Sequence, residues 1–121
     1  MSKSKICVVG IGSWGFNHIK TLNELDVEIS CVDENIDQIK KIKTIYPNIE
    51  HYSSLEKSFQ NKVNGYIIST PPRTHFDLTK LILENNKPLL VEKPLTLSLK
   101  EAEKIKDIVY KNQSKLIVGH L

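Results

Sequence analysis

Gly10-Ile11-Gly12-Ser13-Trp14-Gly15 is a G-x-G-x-x-G run that directly follows the apolar segment Ile6-Cys7-Val8-Val9. The spacing has a physical reason: Gly10 permits a tight turn out of a strand, Gly12 lets backbone approach a phosphate with no Cβ in the way, and Gly15 lets the next helix pack closely on the sheet. The N-terminus of that helix, where Ser13 and Trp14 stand, offers unpaired N–H groups and the positive end of its dipole to an anion. The run therefore reads as a turn that grips a pyrophosphate. Taken alone, it is a weak signal, and a glycine-rich turn in an α/β domain that binds nothing is the alternative. Its context favours the pyrophosphate: the next apolar run, Val27 to Val32, ends in Asp33. That lies near the ~20-residue offset at which a carboxylate accepts hydrogen bonds from adenosine ribose hydroxyls. Trp14 fills a variable slot of the turn and is expected to pack at the helix start rather than to stack on a base.

The chain has 121 residues, enough to bury a core as one domain over 1–121 and short for a two-domain enzyme. With 40% hydrophobic and 26% charged residues it groups with globular proteins rather than disordered ones. No apolar run approaches the ~20 residues that span a bilayer, and Met1-Ser2-Lys3-Ser4-Lys5 leads into a strand instead of a signal-peptide core, so a cytoplasmic location is expected. The net charge of +3 comes from scattered lysines such as Lys40, Lys41 and Lys43, or Lys100, Lys104 and Lys106. Solvated helix faces explain them better than a nucleic-acid surface. Cys7 and Cys31 both fall in apolar strand-like runs, and with no C-x-x-C neither a disulfide framework nor a metal site is indicated.

Strand-like and helix-like segments alternate along the whole chain, the pattern of βα units around a parallel sheet. After the glycine turn, His18, Ile19, Leu22 and Leu25 recur at helical spacing, and Val27 to Val32 is a second strand. Asn35 with Gln38 predicts a capping box for a helix presenting Ile36, Ile39 and Ile42, closed by Pro47. Ile49 to Tyr52 is a third strand, and Ser53 with Glu56 caps a short helix through about Phe59. A fourth strand lies within Val63 to Thr70, and Pro71 and Pro72 stop it. A helix from about Thr74 to Glu84, a strand Pro88 to Val91, a helix capped by Ser98 with Glu101, and a strand Leu116 to Val118 complete the chain. That helix turns Ala102, Ile105, Ile108 and Val109 inward. Six strands with helical crossovers predict an α/β fold, a doubly wound parallel Rossmann sheet in the order 3-2-1-4-5-6.

In such a sheet the ligand lies beyond the carboxyl ends of the strands, at the switch point between strands 1 and 4. Four segments fall on that edge: Gly10 to Gly15, Asp33, Thr70-Pro71-Pro72-Arg73-Thr74-His75, and Glu92-Lys93-Pro94. With Val118-Gly119-His120 they make the chain resemble the Gfo/Idh/MocA oxidoreductases over nearly its whole length; T-P-x-x-x-H paired with E-K-P is more specific than the glycine turn. The resemblance implies an NAD(P)-dependent dehydrogenase acting on a sugar, a cyclitol or a nucleotide-linked sugar. It puts Lys93 beside the nicotinamide and the reacting hydroxyl, Glu92 near the nicotinamide ribose, and Thr70 to Pro72 along the cofactor.

The residues are compatible with those roles. A lysine beside a positively charged ring and partly shielded from water is disposed to the base form, which takes a proton from a hydroxyl as hydride leaves carbon. Read without the resemblance, Lys93 is equally a solvent-facing lysine in a turn. His75 is placed either to contact the cofactor or to cap the helix beginning near it. His18 reads as a packed, hydrogen-bonded histidine, and His51 carries no signal. Asp33 favours the free 2′-hydroxyl of NAD over the 2′-phosphate of NADP, and no arginine follows it closely to reward that phosphate. NAD is the expected cofactor.

The resemblance also implies a second α/β domain, supplying most of the sugar pocket and the usual oligomer interface, which these residues do not contain. Whether the chain alone is an enzyme is therefore left open. The stop at Leu121 fits a cofactor domain of a longer enzyme or a short NAD(H)-binding protein better than a random truncation. A stand-alone sensor of the NADH/NAD ratio is the alternative; it would need the glycine turn and Asp33 but not Lys93. Uncovered apolar surface at the cleft edge predicts a homo-oligomer or a partner supplying the absent domain.

Overall fold

A computed structural model describes residues 3–119; Met1, Ser2, His120 and Leu121 lie outside the described residues, and with them the end of Val118-Gly119-His120. The elements run β1 (Lys5–Val9), α1 (Ser13–Asn23), β2 (Glu28–Val32), α2 (Ile36–Ile45), β3 (Glu50–Tyr52), α3 (Leu55–Ser58) and β4 (Gly65–Ile68). A 3-10 turn (Pro72–Thr74), α4 (His75–Glu84), β5 (Leu89–Glu92), α5 (Leu99–Asn112) and β6 (Leu116–Gly119) follow. The strands form one six-stranded sheet in the order β3-β2-β1-β4-β5-β6, every pairing parallel. This is the doubly wound Rossmann sheet that the alternation of segments predicts.

Strand alternation divides the core into two layers. Cys7, Val9, Tyr66, Ile68, Leu89 and Val91 point to one face, against Leu55, Ile82, Leu83 and Ile105 of α3, α4 and α5. Val8 and Cys31 point to the other, against Ile19 and Leu22 of α1 and Ile39 and Ile42 of α2. Burial on both faces is why these strands are nearly continuous apolar runs. On the α1/α2 face the cover fades along one register row, Val8–Ile67–Leu90–Ile117. Val8 is fully buried, Ile67 and Leu90 are half-buried, and Ile117 is 63% exposed.

Several local expectations are corrected. Leu25 lies beyond the end of α1 and Ile36 in the overhanging first turn of α2, so both are exposed, while Ile39 and Ile42 carry the packing. Asn35 caps α2 by accepting from the N–H of Asp37 rather than through Gln38. The cap of α3 is Ser54, accepting from Lys57, not Ser53. Ser98 caps α5 from the N–H of Glu101, as expected. Pro72 does not only end structure: its fixed φ opens the 3-10 turn that feeds α4.

Candidate functional site: the cleft at the switch point

The three glycines of the turn meet different surroundings. Gly10 has φ +89°, and a Cβ there would stand 2.7 Å from Thr70 Cγ2. At Gly15 a Cβ would lie 1.9 Å from the carbonyl oxygen of Gly10, so only glycine lets α1 approach the turn. At Gly12 a Cβ would meet nothing within 4 Å. Gly12 is the N-cap of α1 without a side chain to satisfy the first N–H groups, so open space lies where an anion can take them.

Asp33 braces this turn from the end of β2. Its Oδ2 accepts from the Ile11 N–H at 2.8 Å and its Oδ1 from the Asn35 N–H at 2.8 Å. Each oxygen retains a further lone pair, so the carboxylate is both a strut for the loop and an oriented acceptor. Just past β4, the Ser69 hydroxyl donates to the Gly10 carbonyl at 2.7 Å.

Between these segments lies a cleft of about 960 Å³ at the carboxyl edge of the sheet. Gly10, Gly12, Ser13, Trp14, Asp33, Thr70, Pro71 and Pro72 line it. Trp14 is 54% exposed on its wall, so the expectation that it packs at the helix start is corrected. Asn35, Gln38, Ser53 and Ser54 line the cleft too, and sequence reasoning missed them; Arg73, which it placed on this edge without a role, lines it as well. Arg73 arrives from the loop after β4, 40 residues from Asp33 in sequence, which is why proximity to Asp33 did not reveal it.

Gly15, His75, Glu92 and Lys93 do not line this cleft. Gly15 is buried behind the turn. Lys93 is exposed just past β5, and the Lys93–Pro94 peptide is cis. His75 has neither role expected of it. Its ring is 1% exposed, with one nitrogen 2.7 Å from the Pro94 carbonyl oxygen and the other 2.8 Å from that of Thr70. It ties the loop after β4 to the loop after β5 and leaves neither nitrogen free for a ligand. Both partners are acceptors, so a neutral ring donates to one at a time and the imidazolium to both. His18 is hydrogen-bonded, as its place on an apolar helix face implies, and its partner is Glu92.

Burial pushes the Cys7 thiol up to about 12 and that of Cys31 to about 11, so both persist as inert thiols in the core. Among the described residues no group of three His, Cys, Asp or Glu could hold a metal ion, and no helix is long and apolar enough to cross a membrane.

A parallel doubly wound sheet with a bare helix N-terminus after β1 and an oriented carboxylate after β2 defines a dinucleotide-binding fold. Comparison with known proteins agrees: residues 4–120 match the oxidoreductase family of NAD-binding Rossmann fold named for Gfo, Idh and MocA. The chain belongs to the Gfo/Idh/MocA family. It is 28% identical to the rhizopine catabolism protein MocA of Rhizobium meliloti, over 99% of this chain and 38% of that protein. It is 32% identical to an NAD(+)-dependent scyllo-inositol 2-dehydrogenase of Bacillus subtilis, over 85% of this chain and 32% of that one. The fold is shared with a dehydrogenase from Chromobacterium violaceum solved with NADH and UDP-GlcNAcA, at a TM-score of 0.88 and 19% identity. That likeness covers 98% of this chain and 35% of the other. The chain thus spans about a third of the length of the curated relatives it matches.

Proposed function

We propose that this chain is the NAD(H)-binding part of a dehydrogenase that oxidises a hydroxyl of a sugar, cyclitol or nucleotide-linked sugar. The observation that carries the reading is the empty Cβ position of Gly12 at the start of α1, beside a turn braced by Asp33. In this reading the N–H groups at the start of α1 bind the pyrophosphate. Asp33 accepts from the adenosine ribose, and the segment Thr70 to Pro72 lies along the second half of the dinucleotide. A bound nicotinamide would supply the acceptor for the hydride that leaves the substrate carbon. Lys93, free and exposed at the end of β5, takes the hydroxyl proton as the carbonyl forms. Its relatives include a scyllo-inositol 2-dehydrogenase and a UDP-N-acetylglucosamine 3-dehydrogenase, which supports this class and does not favour a stand-alone sensor.

The groups that read a sugar's hydroxyls are assigned to sequence beyond the third that this chain shares with its relatives. Self-association, or a partner covering the β5–β6 side, is the corresponding proposal for assembly, and it rests on exposed Ile117 and Val118.

Calorimetric titration of the purified chain with NADH and with NADPH tests the reading. NADH is expected to bind in the micromolar range and NADPH more weakly, because the Asp33 carboxylate repels a 2′-phosphate. Gly12→Val should keep its fold and lose NADH, since the added side chain fills only the space assigned to phosphate. Absence of binding by either nucleotide would overturn the assignment.

A further inference from the structure

We infer that His18 is a positioning residue: it clamps the carboxylate of Glu92 at the carboxyl end of β5, outside the lining of the cleft and on the side toward which the second nucleoside of the dinucleotide would extend. The inference rests on the dinucleotide reading and extends it to a side chain that the glycine turn does not include.

The placement follows from strand alternation. Leu89 and Val91 of β5 face α4 and α5, so Leu90 and Glu92 face the opposite side, where α1 lies. His18, on α1, reaches across, and its Nε2 stands 2.5 Å from Glu92 Oε1. The two side chains are only 21% and 14% exposed, and a carboxylate so far removed from water needs a partner. The other oxygen is confined as well: Glu92 is in register with Gly119, where a Cβ would come within 3.3 Å of Oε2. The carboxylate is thus held by one oxygen and given room by a glycine at the other. It stands one residue before Lys93.

Its position relative to the cleft is set by the fold. Asp33 marks the adenosine side at β2, and α1 marks the pyrophosphate. The remaining nucleoside must then cross the switch point to the ends of β4 and β5, where Glu92 stands. Because His18 belongs to the pyrophosphate helix and Glu92 to the strand before Lys93, their bond couples the two halves of the site. It sets where the free lone pairs of Glu92 meet the ribose hydroxyls of that second nucleoside.

The test compares two probes: NADH, and ADP, which shares the adenosine and pyrophosphate but lacks the second nucleoside. Both are titrated into wild type, His18→Ala, His18→Gln, Glu92→Gln and the double variant His18→Ala/Glu92→Gln, with thermal unfolding followed in parallel. His18→Ala is expected to weaken NADH about tenfold, the scale of one charge-assisted hydrogen bond, and to leave ADP within about twofold. His18→Gln keeps a donor and should recover most of the NADH affinity. The double variant should lose no more than the worse single one, because one bond cannot be removed twice. Equal weakening of NADH and ADP, or unchanged NADH affinity in His18→Ala, would overturn the inference while leaving the dinucleotide reading in place. If His18→Ala does not fold, His18→Phe, which fills the same space without a donor, decides by the same NADH-to-ADP comparison: NADH selectively weakened supports the inference, and NADH unchanged overturns it. Wild type that binds neither probe would overturn both.

Discussion

Gly12 and Gly15 stand three residues apart in one turn, yet a side chain added at each should act on different properties. At Gly12 the space is open, so Gly12→Val should unfold within a few degrees of wild type and fail only in NADH binding. At Gly15 the new Cβ would overlap the Gly10 carbonyl, so Gly15→Val should lose about 3 kcal/mol or more of stability, measured by urea unfolding. The buried thiols make a second prediction. Cys7 and Cys31 ionise only near 12 and 11 in the fold, against 9.0 for a free thiol, because burial disfavours the thiolate. The unfolded chain therefore sheds these protons first, and stability falls as pH rises from about 9 towards 11. Unfolding at pH 8 and at pH 10.5 checks the sign, and a thiol reagent at pH 8 should label neither cysteine until denaturant is added.

At the scale of the element, the caps decide where helices begin and end. Ser54 and Ser98 accept first-turn N–H groups of α3 and α5, and Asn35 does so for α2. The pattern of a cap residue followed three later by an acid located α5 well and misplaced the cap of α3 by one, because Ser53 and Ser54 are adjacent and only the backbone shows which is extended against the first turn. The far end of α5 is less favourable. Gln113 is left-handed there, at φ 52°, a conformation that costs a residue with a Cβ more than it costs glycine. Gln113→Gly should raise stability by about 0.5–1 kcal/mol and the melting temperature by about 2–5 °C, read by circular dichroism. A lower melting temperature would show that the Gln113 side chain contributes more than its backbone costs.

At the scale of the molecule, the sheet is covered on both faces except toward β6, where Ile117 stands 63% exposed and Val118 39% exposed on an edge strand. If that side self-associates as proposed, light scattering should give at least twice the 13.8 kDa chain mass, and Ile117→Lys should return the monomer without lowering the melting temperature. The sheet order, the glycine turn and Asp33 were all legible in the sequence. Each depends on a local pattern: period-two burial, a backbone that tolerates no Cβ, an acid at the end of an apolar run. What the sequence did not show is what meets across distance. Arg73 entering the cleft of Asp33, the ring of His75 joining the loops after β4 and β5, and His18 on Glu92 all join residues from separate βα units. A polar side chain on the apolar face of α1 signalled that His18 must have a partner. Only the parallel sheet, by setting β5 two strands from β1 and turning Glu92 toward α1, decided which one. The sequence by itself determined the class of fold and the glycine turn, because local backbone sterics and burial periodicity encode them. The second half of the site was decided by tertiary structure, because hydrogen bonds between distant segments exist only once strand order and register are set.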